Sequence, residues 1–286
     1  MAAKPHITIV GAGNLGASLV AALARAGYPI DAVVARTGGN SLRWAKLLAR
    51  QVGATAVSAA HAQIKGDVVW FCVPDGGISR AARSLAGKGS WKGKVALHSS
   101  GALTSDELSA LRQRGAAVAS VHPLMTFVQG SRPSLAGVPF AIEGDPSAVR
   151  MARRVVKDLR GQSFSIKKRD KAAYHAWGTF ASPLFVALLA TTEHVAVIAG
   201  VNRKAAKHRM LPIVAQTVAN YAALGAAAAF SGPIVRGDAE TVSKHLRVLQ
   251  RTPSAREVYV ALAKAALKYL PVKQRGRLKK MLTSDQ

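Results

Sequence analysis

HITIVGAGNLGASLVAALARAG, residues 6–27, decides how the rest of the chain is read. Ile7, Thr8, Ile9 and Val10 form a β-branched run, the composition of a strand. Gly11, Gly13 and Gly16 follow at once in the spacing G-x-G-x-x-G, and a helix is expected from Asn14. Each glycine has a physical reason to be there. Gly11 permits the tight turn, Gly13 lets backbone approach a pyrophosphate, and Gly16 allows close packing of helix on strand. The first helical turn, through Asn14 and Leu15, would then offer N–H donors and positive partial charge to an anion. A dinucleotide is the ligand that this arrangement suits.

Working outward, the same alternation repeats. IDAVVA precedes a helix from Ser41, DVVWFCV a helix after Asp75, and KVALH a helix from Thr104; AAVASV and VPFAIE follow before a helix from Pro146. Strands alternating with helices imply a mostly parallel sheet covered on both faces. Thr104 and Glu107 have the spacing of a capping box at the head of TSDELSALRQRG, with Gly115 as its stop. After Ile166 strand patterns vanish, and alanine-rich helical segments are expected near 169–201, 203–224, 238–249 and 254–269. The expectation is an α/β chain: a doubly wound, mostly parallel sheet of Rossmann type over residues 1–166, then an all-α domain over 167–286.

Nearly half of the 286 residues are hydrophobic and 19% are charged, a balance that permits a large core and argues against general disorder. The single cysteine, Cys72, precludes an internal disulfide and points to a reducing compartment. The N-terminus lacks the pattern of a secretory signal, so a cytoplasmic protein is expected. Residues 176–192 lack charge but are rich in Ala, Ser and Thr; a buried helix or a subunit interface, and hence a homodimer through the helical domain, is expected there rather than a membrane span. The net charge of +26 would attract phosphorylated ligands, nucleic acid or anionic lipid. Its basic residues are scattered without interleaved aromatics or a nucleic-acid-binding signature, so nucleic acid is not expected as a partner. No metal is expected.

The end of the second strand selects among dinucleotides. An acidic residue there would hold a ribose 2′-hydroxyl; AVVARTGGNSLR places Arg36 and Thr37 instead, while Asp31 lies at the strand's beginning. A guanidinium pairs with a 2′-phosphate, so NADP is preferred to NAD. Ligands of open α/β sheets bind beyond the carboxyl ends of the strands. VPDGGIS (73–79), HSSGAL (98–103) and HPLMTF (122–127) should therefore share an edge with the glycine loop. Val73 and Pro74 are expected against the cofactor, Ser99 and Ser100 on the substrate, and His98 or His122 as a proton carrier. In the helical part, Lys171, His175, Gly178 and Ser182 fall on one helix face, where Lys171 and His175 could orient or protonate a carbonyl oxygen and Ser182 could contact substrate. In SGPIVRGDAETVSKH, Arg236 could clamp an anionic substrate and Asp238 could cap a helix.

With GAGNLG, VPD, HSSGAL, HPLMTF, YHA and GPIVRGD in this order, the chain resembles the Rossmann-like proteins that carry a DUF2520 helical domain. These are related to NADP oxidoreductases of the coenzyme-F420-dependent type, and more distantly to pyrroline-5-carboxylate and 6-phosphogluconate dehydrogenases. The resemblance spans almost the whole chain. It implies an NADP-binding domain, a helical domain that commonly pairs two subunits, and a cleft between them. The leading expectation is hydride transfer to or from a small carbonyl, imine or hydroxy compound. Coenzyme F420 in place of the organic substrate is a second, and, since the sequence holds no unambiguous catalytic dyad, an NADPH sensor without turnover is a third. Ser182-Pro183 departs from the Ser-Asn expected of the group.

Overall fold

A computed structural model describes residues 3–283. Its strands are β1 (Ile7–Val10), β2 (Ile30–Ala35), β3 (Thr55–Ser58), β4 (Val68–Phe71), β5 (Val95–His98), β6 (Ala117–Pro123), β7 (Pro139–Gly144) and β8 (Gln162–Ser165). They form one sheet in the order β3-β2-β1-β4-β5-β6-β7-β8. Every neighbouring pair is parallel except β6 with β7. The central strands are hydrophobic on both faces because both are covered. Ile7, Ile9, Val68, Trp70, Leu97 and Val121 join one core, while Val10, Val69, Phe71, Ala96 and Val118 join the other.

The helices are α1 (Asn14–Arg25), α2 (Asn40–Gln51), α3 (Ile78–Leu85), α4 (Ser109–Arg112), α5 (Pro146–Asp158), α6 (Lys171–Ala181), α7 (Pro183–Ile198), α8 (Arg203–Ala229), α9 (Pro233–Arg236), α10 (Ala239–Leu249), α11 (Pro253–Tyr269) and α12 (Arg275–Thr283). The fold is the expected one, with local departures. Strands β3 and β8 went unread in the sequence because TAVS and QSFS are short, polar in part and only partly buried. The capping box does not close. Thr104 accepts from the Asp106 N–H, but the Glu107 carboxylate takes the Ser79 hydroxyl, and the turn runs as a 3₁₀ segment (Ser105–Leu108) before the single turn of α4.

The chain divides into two compact units, one ending at Thr179 and the other beginning at Phe180. Helical character begins near Lys167 as read from the sequence, yet most of α6 belongs to the sheet unit, because Lys171 and Tyr174 are buried in it. The expected single segment 169–201 is split by Ser182-Pro183 into α6 and α7. The second unit has its own core of Ala239, Val242, Leu246, Ala263, Leu267, Leu278 and Leu282 on α10, α11 and α12. Helix α7 contains no buried residue and α8 only Ala206, so residues 176–192 are not the buried helix expected for a single chain. Segments Lys168–Ile198 and Arg203–Arg236 are long and apolar enough to cross a membrane, and their apolar windows are wholly unburied.

Candidate active site

The glycine loop is built so that two of its three glycines admit no side chain. Gly11 has φ +111°, and a Cβ there would stand 2.5 Å from the Cys72 carbonyl oxygen and 3.0 Å from Val73 Cγ1. A Cβ on Gly16 would lie 2.1 Å from the Gly11 oxygen, so only glycine lets α1 begin this close to β1. At Gly13 a Cβ would meet nothing within 4 Å: the space above the loop is open. Gly13 is the N-cap of α1 without a side-chain cap, which leaves the first N–H groups of the helix facing that space. Asn14 spends its Nδ2 on the Phe127 carbonyl, and Leu15 packs its side chain into the core, so these two have backbone N–H groups to offer. The arrangement fits a pyrophosphate.

Arg36 and Thr37 are exposed just past the end of β2, and Arg36 Nη2 lies 3.5 Å from Ser41 Oγ at the start of α2. Asp31, at the other end of the strand, pairs with His6 at 2.6 Å. A guanidinium and a hydroxyl, with no carboxylate at that strand end, suit a phosphate ester. Pro74 caps the 3₁₀ turn Asp75–Gly77 that leads away from β4.

Register places Phe71, His98 and Ser120 side by side on β4, β5 and β6, so the three turns after them do share an edge. Their side chains divide sharply in role. His98 is fully buried; its Nε2 lies 2.9 Å from the Thr104 carbonyl and its Nδ1 accepts from the Ser100 N–H at 3.1 Å. A carbonyl cannot donate and an amide N–H cannot accept, which fixes the neutral Nε2–H tautomer. Burial, joined by the charge of Lys171, pushes His98 down to about 4. With both nitrogens engaged, His98 has no proton to exchange with a ligand, a correction to its expected role. Ser100 is engaged as fully: its hydroxyl donates to Asp75 Oδ2 at 2.8 Å and accepts from the N–H groups of Ala102 and Leu103. Ser99 Oγ accepts from Trp70 Nε1 at 2.8 Å and keeps its own hydrogen.

Helix α6 docks on β6 through a ladder. Strand positions 120, 122 and 124 point to one side, and helix positions 171, 174 and 178 meet them. Lys171 Nζ donates to Ser120 Oγ at 2.5 Å and to the Ser100 carbonyl at 2.9 Å. Tyr174 pairs with His122, its hydroxyl 2.7 Å from Nδ1. Gly178 leaves room for Leu124, whose Cδ1 would be 3.2 Å from a Cβ. Lys171 is 1% exposed, and burial lowers its ammonium to about 8. It ties the HSSG turn to β6 and cannot reach a ligand, a second correction. Burial, then Lys171 and His175, push His122 down to about 4, so its ring is neutral at physiological pH. His175 is exposed, with its ring centroid 6.4 Å from that of His122. Gly101 lies between them, because a Cβ there would be 2.9 Å from His122 Nε2 and 2.8 Å from His175 Cδ2.

Of the expected site residues, the structure thus brings together His98, Ser99, Ser100, His122, Lys171 and His175. Ser182 and Arg236 belong to the second unit, Ser182 as the N-cap of α7 and Arg236 exposed at the end of α9. The sequence reading missed Asp75, Gly101 and Tyr174. Tyr174 had a signal, since it stands at i+3 from Lys171 on the same face.

Residues 6–98 match the family described as NADP oxidoreductase coenzyme F420-dependent, and residues 138–266 match DUF2520, a domain of unknown function. Among solved structures, a Bacteroides fragilis protein described as an NADP oxidoreductase superposes with a TM-score of 0.76 at 19% identity, over 92% of this chain and 97% of that one. A Thermotoga maritima protein gives 0.71 at 23% identity, over 91% and 96%. The reductive aminase of Aspergillus terreus, solved with NADPH and ethyl-5-oxohexanoate, gives 0.65 at 16% identity, over 98% and 100%. At such identities the likeness establishes the fold. No curated protein sequence matches the chain.

Proposed function

We propose that this Rossmann-like protein with its DUF2520 segment is an NADP-dependent oxidoreductase that transfers hydride to or from a small carbonyl, imine or hydroxy compound. The observation that carries the proposal is the open space at Gly13, in front of the amino end of α1 and on the same sheet edge as His122. Gly11, Gly13, Asn14, Leu15 and Gly16 would hold the pyrophosphate with backbone N–H groups. Arg36, with Thr37 and Ser41, would hold the 2′-phosphate, and Val73 and Pro74 would line the far end. The bound cofactor would supply the hydride; the chain's own residues supply orientation and handle the proton. The names of the neighbouring structures, an NADP oxidoreductase and a reductive aminase bound to NADPH, support the cofactor and the reaction class.

His122, neutral and beside Gly101, would face the reacting group, with the exposed His175 as the second imidazole. Asp75 brings an exposed carboxylate to the Ser100 turn, which suits a cationic iminium better than an anionic substrate. Ser99 retains a hydroxyl hydrogen to donate. Coenzyme F420 as co-substrate is supported only by the family description. NADPH oxidation followed across a panel of cyclic imines, ketones and aldehydes tests the proposal: turnover with at least one class supports it.

A second reading, an NADPH sensor without turnover, draws on one observation: His98, Ser100 and Lys171 are all spent on holding the turn. NADPH binding without oxidation of NADPH across the panel would decide for it. We also propose a homodimer. Trp177, Phe180, Ile213, Val218, Tyr221 and Leu224 are each more than half exposed on α6 and α8, more apolar surface than a monomer usually leaves in water. Monomer alone in analytical ultracentrifugation at micromolar concentration would refute the dimer.

A further inference from the structure

We propose that Tyr174 is a positioning residue: its phenol donates to His122 Nδ1, locks His122 in the Nε2–H tautomer, and so presents an N–H donor past Gly101 to the reacting group. The catalytic part of this inference rests on the oxidoreductase reading; the tautomer does not.

The geometry supports a single direction for the hydrogen bond. Tyr174 is 6% exposed, and its hydroxyl, 2.7 Å from Nδ1, has His122 as its partner among the described residues. A buried hydroxyl must spend its one hydrogen somewhere, and leaving a donor unmet costs more than leaving a lone pair unmet. The O–H therefore points at Nδ1, and the ring hydrogen moves to Nε2. Burial lifts the phenol to about 12, so it stays a donor throughout the physiological range. The rings stand edge to face, with centroids 5.4 Å apart and planes at 87°, and Trp177 and Phe164 pack edgewise on Tyr174 from its other sides. The groups facing His122 are Tyr174, His175, Lys171, Asp75 and His98, and among the described residues the hydrogen bond on Nδ1 is that to the Tyr174 hydroxyl.

A fixed Nε2–H gives His122 one chemical role. When a carbonyl or imine carbon accepts hydride from the reduced nicotinamide, its π electrons move to oxygen or nitrogen, and an N–H donor stabilises the charge gathering there. Solvent then delivers the proton that completes the alcohol or amine. In the reverse direction solvent removes that proton, and the same N–H stabilises the resulting anion before it gives up hydride. The pair therefore acts as a fixed hydrogen-bond donor in both directions and not as a proton carrier.

Imidazole-¹⁵N NMR on the full-length protein tests the pairing directly, with the His122 signals assigned by their loss in His122→Gln. At pH 6–8 wild type should show a protonated Nε2 and a hydrogen-bonded, unprotonated Nδ1. In Tyr174→Phe the Nδ1 hydrogen-bond shift should vanish and the two tautomers should mix. With the panel's best substrate, kcat for reduction should fall about 10- to 100-fold while KM stays within about threefold, the split expected of a group acting only as charge develops. A protonated Nδ1 in wild type, or an unchanged kcat in a Tyr174→Phe protein whose tautomers have mixed, overturns the proposal. The donor tautomer in a protein that oxidises no NADPH supports the pairing and refutes the oxidoreductase reading instead.

Discussion

Two alanine substitutions within one turn of chain, Gly13→Ala and Gly16→Ala, separate binding from folding. At Gly13 the new methyl meets no atom within 4 Å, so the fold should lose no more than about 1 kcal/mol, the difference between glycine and alanine at an N-cap. The same methyl would occupy the space assigned to the pyrophosphate. Displacing one charge-assisted N–H contact or two would remove about 2–4 kcal/mol of binding, or roughly 30- to 1,000-fold in Kd. At Gly16 the methyl would stand 2.1 Å from the Gly11 oxygen, more than an ångström inside ordinary contact with a backbone atom that cannot swing away. The start of α1 would have to shift, at about 3 kcal/mol. NADPH fluorescence titration and urea unfolding should therefore show Gly13→Ala folded but weakly binding, and Gly16→Ala unstable first. A Gly13→Ala protein that binds NADPH as wild type does would refute the placement of the pyrophosphate.

Arg36→Asp should reverse cofactor preference by at least about tenfold toward NADH, read as the ratio of the two affinities, by replacing a cation at the 2′-phosphate with an acceptor for the 2′-hydroxyl. Stability should fall on mild acidification: His98 and His122 titrate near 4 when folded but near 6.5 when unfolded, so the unfolded chain binds the extra protons, and each ring should lose about 2 kcal/mol between pH 7 and pH 5 in urea titrations. Lys171→Met, which keeps the stem and removes the ammonium, should lose about 1–2 kcal/mol by the same measurement, and Lys171→Ala, which adds a cavity, about 3 kcal/mol or more.

The sheet was legible because its signals are local. A β-branched run, a G-x-G-x-x-G turn and an apolar helix face all lie within residues 6–27, and βα alternation then fixes topology through strand sterics. The shared edge of HSSGAL and HPLMTF follows from that topology alone. What the sequence concealed is what each side chain spends its hydrogen bonds on. His98 and His122 both stand at strand ends with small neighbours, yet one has both nitrogens engaged by Thr104 and Ser100 and the other, among the described residues, bonds through Nδ1 to Tyr174. The partners of His98 lie two and six residues away and meet it only because the turn folds back on the ring. The partner of His122 comes from a helix 52 residues downstream, beyond the reach of any window on the chain. The buried state of Lys171 was hidden for the same reason: a polar stripe at helical spacing looks alike whether it faces solvent or the end of a strand. Helix α7 misled in the opposite sense, since an apolar composition promises burial without saying which molecule provides it.

Isothermal titration calorimetry with NADPH and with NADH on the wild-type protein tests the central claim most directly. NADPH should bind with a dissociation constant on the order of micromolar, with NADH at least about tenfold weaker because Arg36 meets no phosphate there. Heat from neither nucleotide would contradict the account at its base, and equal heats and affinities from both would remove Arg36 from it.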